Sequence, residues 1–231
     1  MKTIGLLGGM SWESTVPYYR VINETVGARL GGLHSARVVL YSVEFQEIEM
    51  LQHADRWDDT AKILTAAARS IEAGGADFLV ICTNTMHKVA PQIEEGIGIP
   101  LLHIADATAE EIKAAGVRTV GLLGTKFTME HDFYRGRLEQ NHGLEVVVPD
   151  EAGRDAVHRV IYEELCLGTV RDDSREAYRR IIEDLVARGA EAIILGCTEI
   201  SMLVGPEDST VPIFDTTEIH ARKAADWALE G

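Results

Sequence analysis

Short apolar runs alternate along the chain with longer stretches in which apolar and polar residues repeat with a helical period. Apolar runs of this kind, each followed by an amphipathic segment, are typical of strand–helix–strand units, which build parallel sheets. The clearest helices are predicted at residues 58–73 and 174–188, each followed by a glycine that can end a helix. Eight strands are predicted, at residues 3–7, 37–43, 77–82, 99–103, 119–123, 145–148, 191–196 and 211–214.

The two halves of the chain carry similar landmarks. The string GLLG begins at Gly5 and again at Gly121, and Cys82 and Cys197 each follow an apolar run that a Gly-Ala pair introduces. The two strings and the two cysteines have the same separation to within one residue, and that separation is close to half the chain. We interpret this as an internal duplication that forms two pseudo-symmetric α/β lobes, each a four-stranded parallel sheet flanked by helices.

The composition argues against a nucleic-acid-binding protein, a membrane protein and a disulfide-linked protein. The 231 residues include 37 acidic and 22 basic side chains, for a net charge of −15, which makes a nucleic-acid partner unlikely because phosphate contacts depend on Lys and Arg. No apolar run is long enough to span a membrane, and the N-terminus does not have the layout of a signal peptide. Three cysteines, an odd number, argue against a disulfide framework and predict a reduced, cytoplasmic protein.

Polar residues follow the cysteine at the end of two predicted strands, in CTNT at residues 82–85 and CTE at residues 197–199. Ligands of parallel sheets bind outside the carboxyl ends of the strands. A strand-to-helix turn there offers backbone N–H groups and the positive end of a helix dipole, which favour an anionic ligand and a thiolate. We therefore predict that Cys82 and Cys197 are reactive thiols with a lowered pKa rather than packing residues.

Two equivalent thiols favour racemisation over cysteine hydrolysis, zinc binding and nucleotide binding. A cysteine hydrolase needs a single nucleophile, and the spacing of zinc ligands is absent. The glycine turns match neither nucleotide-binding fingerprint. Racemisation, in contrast, requires two acid/base groups on opposite faces of a tetrahedral carbon, and a duplicated lobe can supply one thiol from each side.

The sequence resembles the aspartate/glutamate racemase family of cofactor-independent amino-acid racemases. Four motifs carry the resemblance: GLLGGMSWEST from residue 5, CTNTMH from residue 82, GLLGT from residue 121 and GCTE from residue 196. The resemblance implies two lobes with the active site between them, no pyridoxal phosphate, and commonly a homodimer. We expect no other cofactor and no metal. It also implies a chain crossover, with residues 1–98 plus 207–231 in the first lobe and 99–206 in the second.

By this resemblance, Cys82 and Cys197 are the two catalytic acid/bases acting on a small amino-acid substrate. The substrate-binding residues that it implies are Asn84, Thr85 and Thr198 at the α-carboxylate, and Met10 and Thr125 along the pocket. Thr83 is a further candidate for substrate binding, and Gln52 is a candidate for the distal wall of the pocket. His87 and Glu199 follow the two cysteines closely, and each could tune its neighbouring thiol. Equally, His87 could be a histidine on a helix surface, and Glu199 could favour the dipole at a helix N-terminus.

The expected substrate is aspartate, glutamate or, in preference, a broader set of neutral and polar amino acids. Family members specific for acidic amino acids are expected to supply Lys and Arg to the side-chain carboxylate. Here the corresponding helix offers Cys166, which we predict to be a packing residue, and residues 44–51 contain three glutamates and no Arg. Two alternatives stay open: an isomerase or decarboxylase of another small carboxylate, as in hydantoin racemases, maleate isomerases and arylmalonate decarboxylases, or a non-catalytic amino-acid sensor.

Overall fold

The chain forms two four-stranded parallel sheets in a computed structural model that describes residues 1–230. The strands are β1 (Thr3–Gly8), β2 (Arg37–Ser42), β3 (Phe78–Ile81), β4 (Leu101–Leu102), β5 (Thr119–Gly124), β6 (Glu145–Val147), β7 (Ala192–Gly196) and β8 (Ile213–Asp215). The first sheet has the order β2-β1-β3-β4 and the second has the equivalent order β6-β5-β7-β8. The eight predicted strands and the repeated α/β architecture are confirmed.

Helices connect the strands, as the alternating pattern predicts. They are α1 (Trp12–Leu30), α2 (Phe45–His53), α3 (Trp57–Ala73), α4 (Ala90–Gly96), α5 (Ile104–Ala114), α6 (Lys126–Glu130), α7 (Arg135–His142), α8 (Glu151–Glu163), α9 (Asp172–Ala187) and α10 (Thr216–Leu229). The two helices that the sequence predicts most clearly are α3 and α9. Just beyond them, Gly75 (φ 91°) and Gly189 (φ 98°) adopt the left-handed backbone that favours glycine.

The repeated GLLG string has the same packing role in both sheets. A Cβ atom at Gly5 in β1 would clash with Cγ2 of Ile71 in α3. At Gly121 in β5, a Cβ atom would lie 2.7 Å from Cδ1 of Ile193 and 3.1 Å from Cδ1 of Leu185 in α9. Glycine therefore allows one helix to pack closely over the central strand of each sheet.

The chain divides into two compact units, Met1–Ile104 with the segment from His220, and Ala105–Ile219. The units divide after residues 104 and 219, six and thirteen residues beyond the boundaries expected at 98 and 206. Strand β4 pairs with β3, and β8 pairs with β7, so each edge strand joins the sheet of the strand that precedes it. Short connections favour such pairing. The C-terminal strand thus belongs to the second unit, and only α10 from His220 onward returns to the first.

An acidic side chain fastens the segment before β8 to α9 in the second unit. The buried Asp208 carboxylate accepts hydrogen bonds from Nε of Arg179 at 2.6 Å and from the Gly205 N–H at 2.9 Å. Burial raises the pKa of Asp208, but the Gly205 N–H and the Arg179 guanidinium outweigh burial and hold that pKa below its usual value. The folded state therefore favours the ionised carboxylate.

We expect Asp208→Asn to lower the free energy of unfolding by about 2 kcal/mol at neutral pH, because the amide loses the charge-assisted bonds to Arg179. The lowered pKa makes this stabilisation complete above the unfolded-state pKa of about 4 and progressively lost as the pH falls further. Urea unfolding at pH 7 and below pH 4 measures the difference. Glu176→Gln is the control, because this exposed partner of Arg179 lies 3.8 Å away and should change stability by less than about 0.5 kcal/mol. A difference between Asp208→Asn and the parent protein that persists at low pH would contradict the assignment.

Candidate active site

Cys82 follows the last residue of β3, at the carboxyl edge of the first sheet. It is fully buried, its N–H donates to the Leu7 carbonyl at 2.9 Å, and its Sγ lies 3.9 Å from the Val80 carbonyl oxygen. The wholly apolar β3 places the thiol in the core, and the polar residues after it form a 3₁₀ turn at Thr85–Val89. Thr83 is half-buried, whereas Asn84 and Thr85 are buried.

The turn after β1 lies at the same edge of this sheet. Leu7 of β1 is in register with Ile81 of β3, so the chain leaves both strands side by side. The buried Met10 lies in the β1 turn, where the Gly9 N–H donates to Thr15 Oγ1 at 2.8 Å. Gln52 of α2 is also buried, and its Nε2 contacts Met86 Sδ in the Cys82 turn at 3.7 Å. The predicted residues of the first unit therefore lie around one sheet edge.

The second unit repeats this arrangement around Cys197. Gly124 of β5 is in register with Gly196 of β7, so Thr125 and Cys197 both follow the carboxyl ends of neighbouring strands. Thr125 caps α6, accepting from the Thr128 N–H at 3.3 Å. Cys197 precedes a 3₁₀ turn at Thr198–Met202, in which Thr198 is buried. Cys197 itself is partly exposed.

A buried carboxylate lies between two thiols in this unit. Cys197 Sγ donates to Glu199 Oε2 at 2.9 Å, and Cys166 Sγ lies 3.8 Å from Glu199 Oε1. Glu199 is 5% exposed, so its carboxylate contacts these sulfur atoms in surroundings with little water. The expectation that Cys166 lies on a helix is wrong, because α8 ends at Glu163 and Cys166 belongs to a 3₁₀ turn, Leu165–Leu167. Sequence spacing could have suggested the contact between Cys197 and Glu199. Nothing in the sequence indicated that Cys166 would contact the same carboxylate.

The surroundings of both candidate thiols favour the protonated form. Burial raises the pKa of the Cys82 thiol well above its usual value. Burial, the Glu199 carboxylate and Cys166 raise the pKa of Cys197 in the same direction. The predicted lowering of both pKa values is wrong. Desolvation at these strand ends penalises a thiolate, and the segments that directly follow them are short 3₁₀ turns rather than long helices with substantial dipoles.

Within residues 1–230, no group of three or more His, Cys, Asp and Glu side chains has an arrangement that could hold a metal ion. No helix in the same range is long and apolar enough to cross a membrane. The three cysteines are free thiols.

The two α/β units have equivalent strand order, and this is the architecture of the two-lobed racemases among the structures to which the chain is similar. The sequence pattern of the Asp/Glu/Hydantoin racemase family matches residues 7–224. The chain belongs to this family, and it is therefore an isomerase of the amino-acid racemase group.

Other proteins are similar to this one over nearly its whole length. A Yersinia pestis protein of known structure, described as a candidate Asp/Glu racemase, is 60% identical over 99% of this chain and 100% of its own, with a TM-score of 0.93. An aspartate racemase homologue from Pyrococcus horikoshii is 38% identical with the same coverage and a TM-score of 0.85. The broad specificity amino-acid racemase RacX of Bacillus subtilis is 25% identical over 98% of both chains.

Proposed function

We propose that this protein is a cofactor-independent amino-acid racemase in which Cys82 and Cys197 are the two acid/bases. The observation that supports this most is the equivalent position of the two thiols, each directly at the carboxyl end of the third strand of its half. In the proposed reaction one sulfur removes the Cα proton as a thiolate. The other thiol gives a proton to the opposite face, so configuration inverts and the thiol and thiolate exchange places.

Proton transfer at Cys197 is proposed to involve Glu199. The resting pair consists of a thiol and a carboxylate whose oxygen lies 2.9 Å from the sulfur, so the carboxylate is placed to accept the thiol proton. An arriving amino acid brings a positive α-ammonium group, and a nearby positive charge lowers the pKa of a thiol. Substrate binding would then create the thiolate that the free protein disfavours.

Removal of a Cα proton without an imine cofactor requires strong stabilisation of the charge that moves onto the α-carboxylate. Thr83, Asn84, Thr85 and Thr198 follow the two thiols directly, and their hydroxyl, amide and backbone N–H groups are the proposed donors to it. Donors fixed before the reaction gain strength as this charge develops, particularly where water is excluded. Met10, Gln52 and Thr125 are proposed to line the pocket.

The proposed substrates are neutral and polar amino acids rather than aspartate or glutamate. The surroundings of Cys197 contain the Glu199 carboxylate and the uncharged Cys166, and residues 44–51 offer no cationic side chain. A second substrate carboxylate would be costly to bury without a cationic partner. The name of the RacX relative, a broad-specificity racemase, is consistent with this range.

Proton NMR in deuterium oxide tests the proposed function. The purified protein, free of metal and pyridoxal, is mixed with L-alanine, L-serine, L-glutamine, L-methionine, L-aspartate or L-glutamate. We expect deuterium at Cα together with the D-enantiomer, and kcat/KM at least about tenfold higher for the neutral substrates than for the acidic ones. Thermal stabilisation by amino acids without exchange would instead indicate a sensor. Absence of both effects would contradict the proposal and favour another small carboxylate as the substrate.

We also propose that the enzyme is a homodimer in the cytoplasm. Three free thiols are consistent with a reducing, cytoplasmic environment. A homodimer is consistent with a stripe of exposed apolar side chains on one face of α1, formed by Trp12, Val16 and Tyr19.

A further inference from the structure

A buried histidine anchors the turn that follows Cys82. His87 is 1% exposed; its Nδ1 lies 2.8 Å from the Thr83 carbonyl oxygen, and its Nε2 lies 3.2 Å from the Ile104 backbone nitrogen. A backbone N–H can only donate and a carbonyl oxygen can only accept. Nε2 is therefore the acceptor, and Nδ1 carries the proton that it donates to Thr83. These two bonds define a neutral ring in a single tautomer.

Two other buried histidines surround this ring. The ring of His103 lies 4.4 Å from that of His87, and the ring of His220 lies 6.0 Å from it. His220 Nε2 donates to the Leu102 carbonyl at 2.8 Å, and its Nδ1 accepts from the Tyr18 hydroxyl at 2.8 Å. Burial lowers the pKa of His220 to about 4. The His87 ring therefore packs against His103 and against a His220 ring whose orientation is fixed by two hydrogen bonds.

The bond from His87 determines the orientation of one peptide group beside the thiol. In a planar trans peptide the C=O and N–H groups point in opposite directions. Because the Thr83 carbonyl points to the His87 ring, the Asn84 N–H points away from it. This N–H is one of the donors that the proposed function assigns to the substrate α-carboxylate.

We propose that His87 is a positioning residue of the racemase, which directs the Asn84 N–H to the substrate carboxylate by holding the Thr83 carbonyl. The inference rests on the proposed function. The chain offers a second explanation, namely that His87 only joins the turn to the start of α5 through Ile104. The two bonds of the ring make these explanations separable.

Three substitutions of His87 distinguish the two bonds. His87→Asn keeps an N–H donor near the position of Nδ1 and so retains the bond to Thr83, whereas it loses the acceptor for Ile104. His87→Gln keeps an acceptor near the position of Nε2 and loses the donor to Thr83. His87→Ala loses both. Tyr18→Phe is the control, because it removes a hydrogen bond from the same buried cluster without touching the turn.

The test measures kcat and KM of racemisation separately, with the melting temperature of each variant. We expect His87→Gln and His87→Ala to lower kcat about 10- to 100-fold with KM changed much less, because a donor that strengthens in the transition state is misdirected. His87→Asn should stay within about threefold of the parent kcat despite a lowered melting temperature, and Tyr18→Phe should do the same.

The outcomes distinguish a positioning role of His87 from a purely structural role and from failure of the proposed function. If His87→Gln and His87→Ala lose no more kcat than Tyr18→Phe at an equal loss of melting temperature, the positioning role is wrong and the proposed function stands. If the parent protein racemises no amino acid, the proposed function fails and the role of His87 fails with it. Nitrogen NMR of the ring gives an independent check, since a proton on Nε2 in place of Nδ1 would overturn the assignment.

Discussion

Replacing either Cys82 or Cys197 by alanine is expected to lower the rate of racemisation by at least about 10³-fold, within the range that a positioned acid/base contributes. Inversion needs one group to take the proton and another to return it from the opposite face, so neither thiol can substitute for the other. The measurement is the appearance of the opposite enantiomer by chiral chromatography, with the melting temperature showing that each variant folds.

The two alanine variants should also differ from each other. A variant with one thiol can still remove the Cα proton from the enantiomer that faces that thiol and return a solvent deuteron to the same face. We therefore expect Cys82→Ala to exchange the Cα proton of one enantiomer in deuterium oxide, and Cys197→Ala that of the other. Exchange of the same enantiomer by both variants, or continued racemisation by either, would contradict the two-base mechanism.

Cys166→Ala is the matched control for these substitutions. Cys166 is a third free thiol whose sulfur lies near the same Glu199 carboxylate, yet the proposed mechanism gives it no proton to transfer. We expect its loss to lower kcat/KM by less than about fivefold, the effect of losing one weak contact to Glu199.

Glu199→Gln is expected to reduce kcat/KM about 10²-fold, because the amide cannot accept the proton of Cys197. The reduction should be equal for the L- and D-substrates, since an equilibrium constant of one fixes the ratio of their kcat/KM values. Melting temperatures should stay close to that of the parent protein, because glutamine matches the shape of glutamate.

In Glu199→Gln, the reactivity of the Cys197 thiol toward an alkylating reagent should rise, whereas kcat/KM falls. The Glu199 carboxylate raises the pKa of Cys197, so its removal lowers that pKa and increases the thiolate fraction at a given pH. Alkylation of Cys197 by iodoacetamide, followed by mass spectrometry in a Cys166→Ala background, should accelerate while turnover slows. Unchanged or faster racemisation by Glu199→Gln would show that the carboxylate takes no part in proton transfer.

The sequence was sufficient to predict the sheets, because most strands have an apolar centre and alternate with amphipathic helices. Cys82 and Cys197 were predicted at strand ends for the same reason, and the structure places them there. Their catalytic roles, and those of the seven proposed substrate-binding residues, depend on bound substrate and stay predictions.

Properties that depend on three-dimensional neighbours could not be predicted. Strand β4 consists of two residues, so the pattern gave no means of deciding which sheet it joins. The thiol pKa values depend on burial that only packing determines. The contact between Cys166 and Glu199 joins residues 33 positions apart in the sequence, and no periodicity indicates it.

The two halves share strand order and packing glycines, but the immediate neighbours of their thiols differ. Cys197 has a carboxylate within hydrogen-bonding distance, whereas burial alone raises the pKa of Cys82, whose turn is fastened by the imidazole of His87. Two identical subunits related by symmetry would give both thiols the same neighbours. Fusion of two copies into one chain allows each thiol to evolve separately, which suits a substrate whose two faces are themselves unlike.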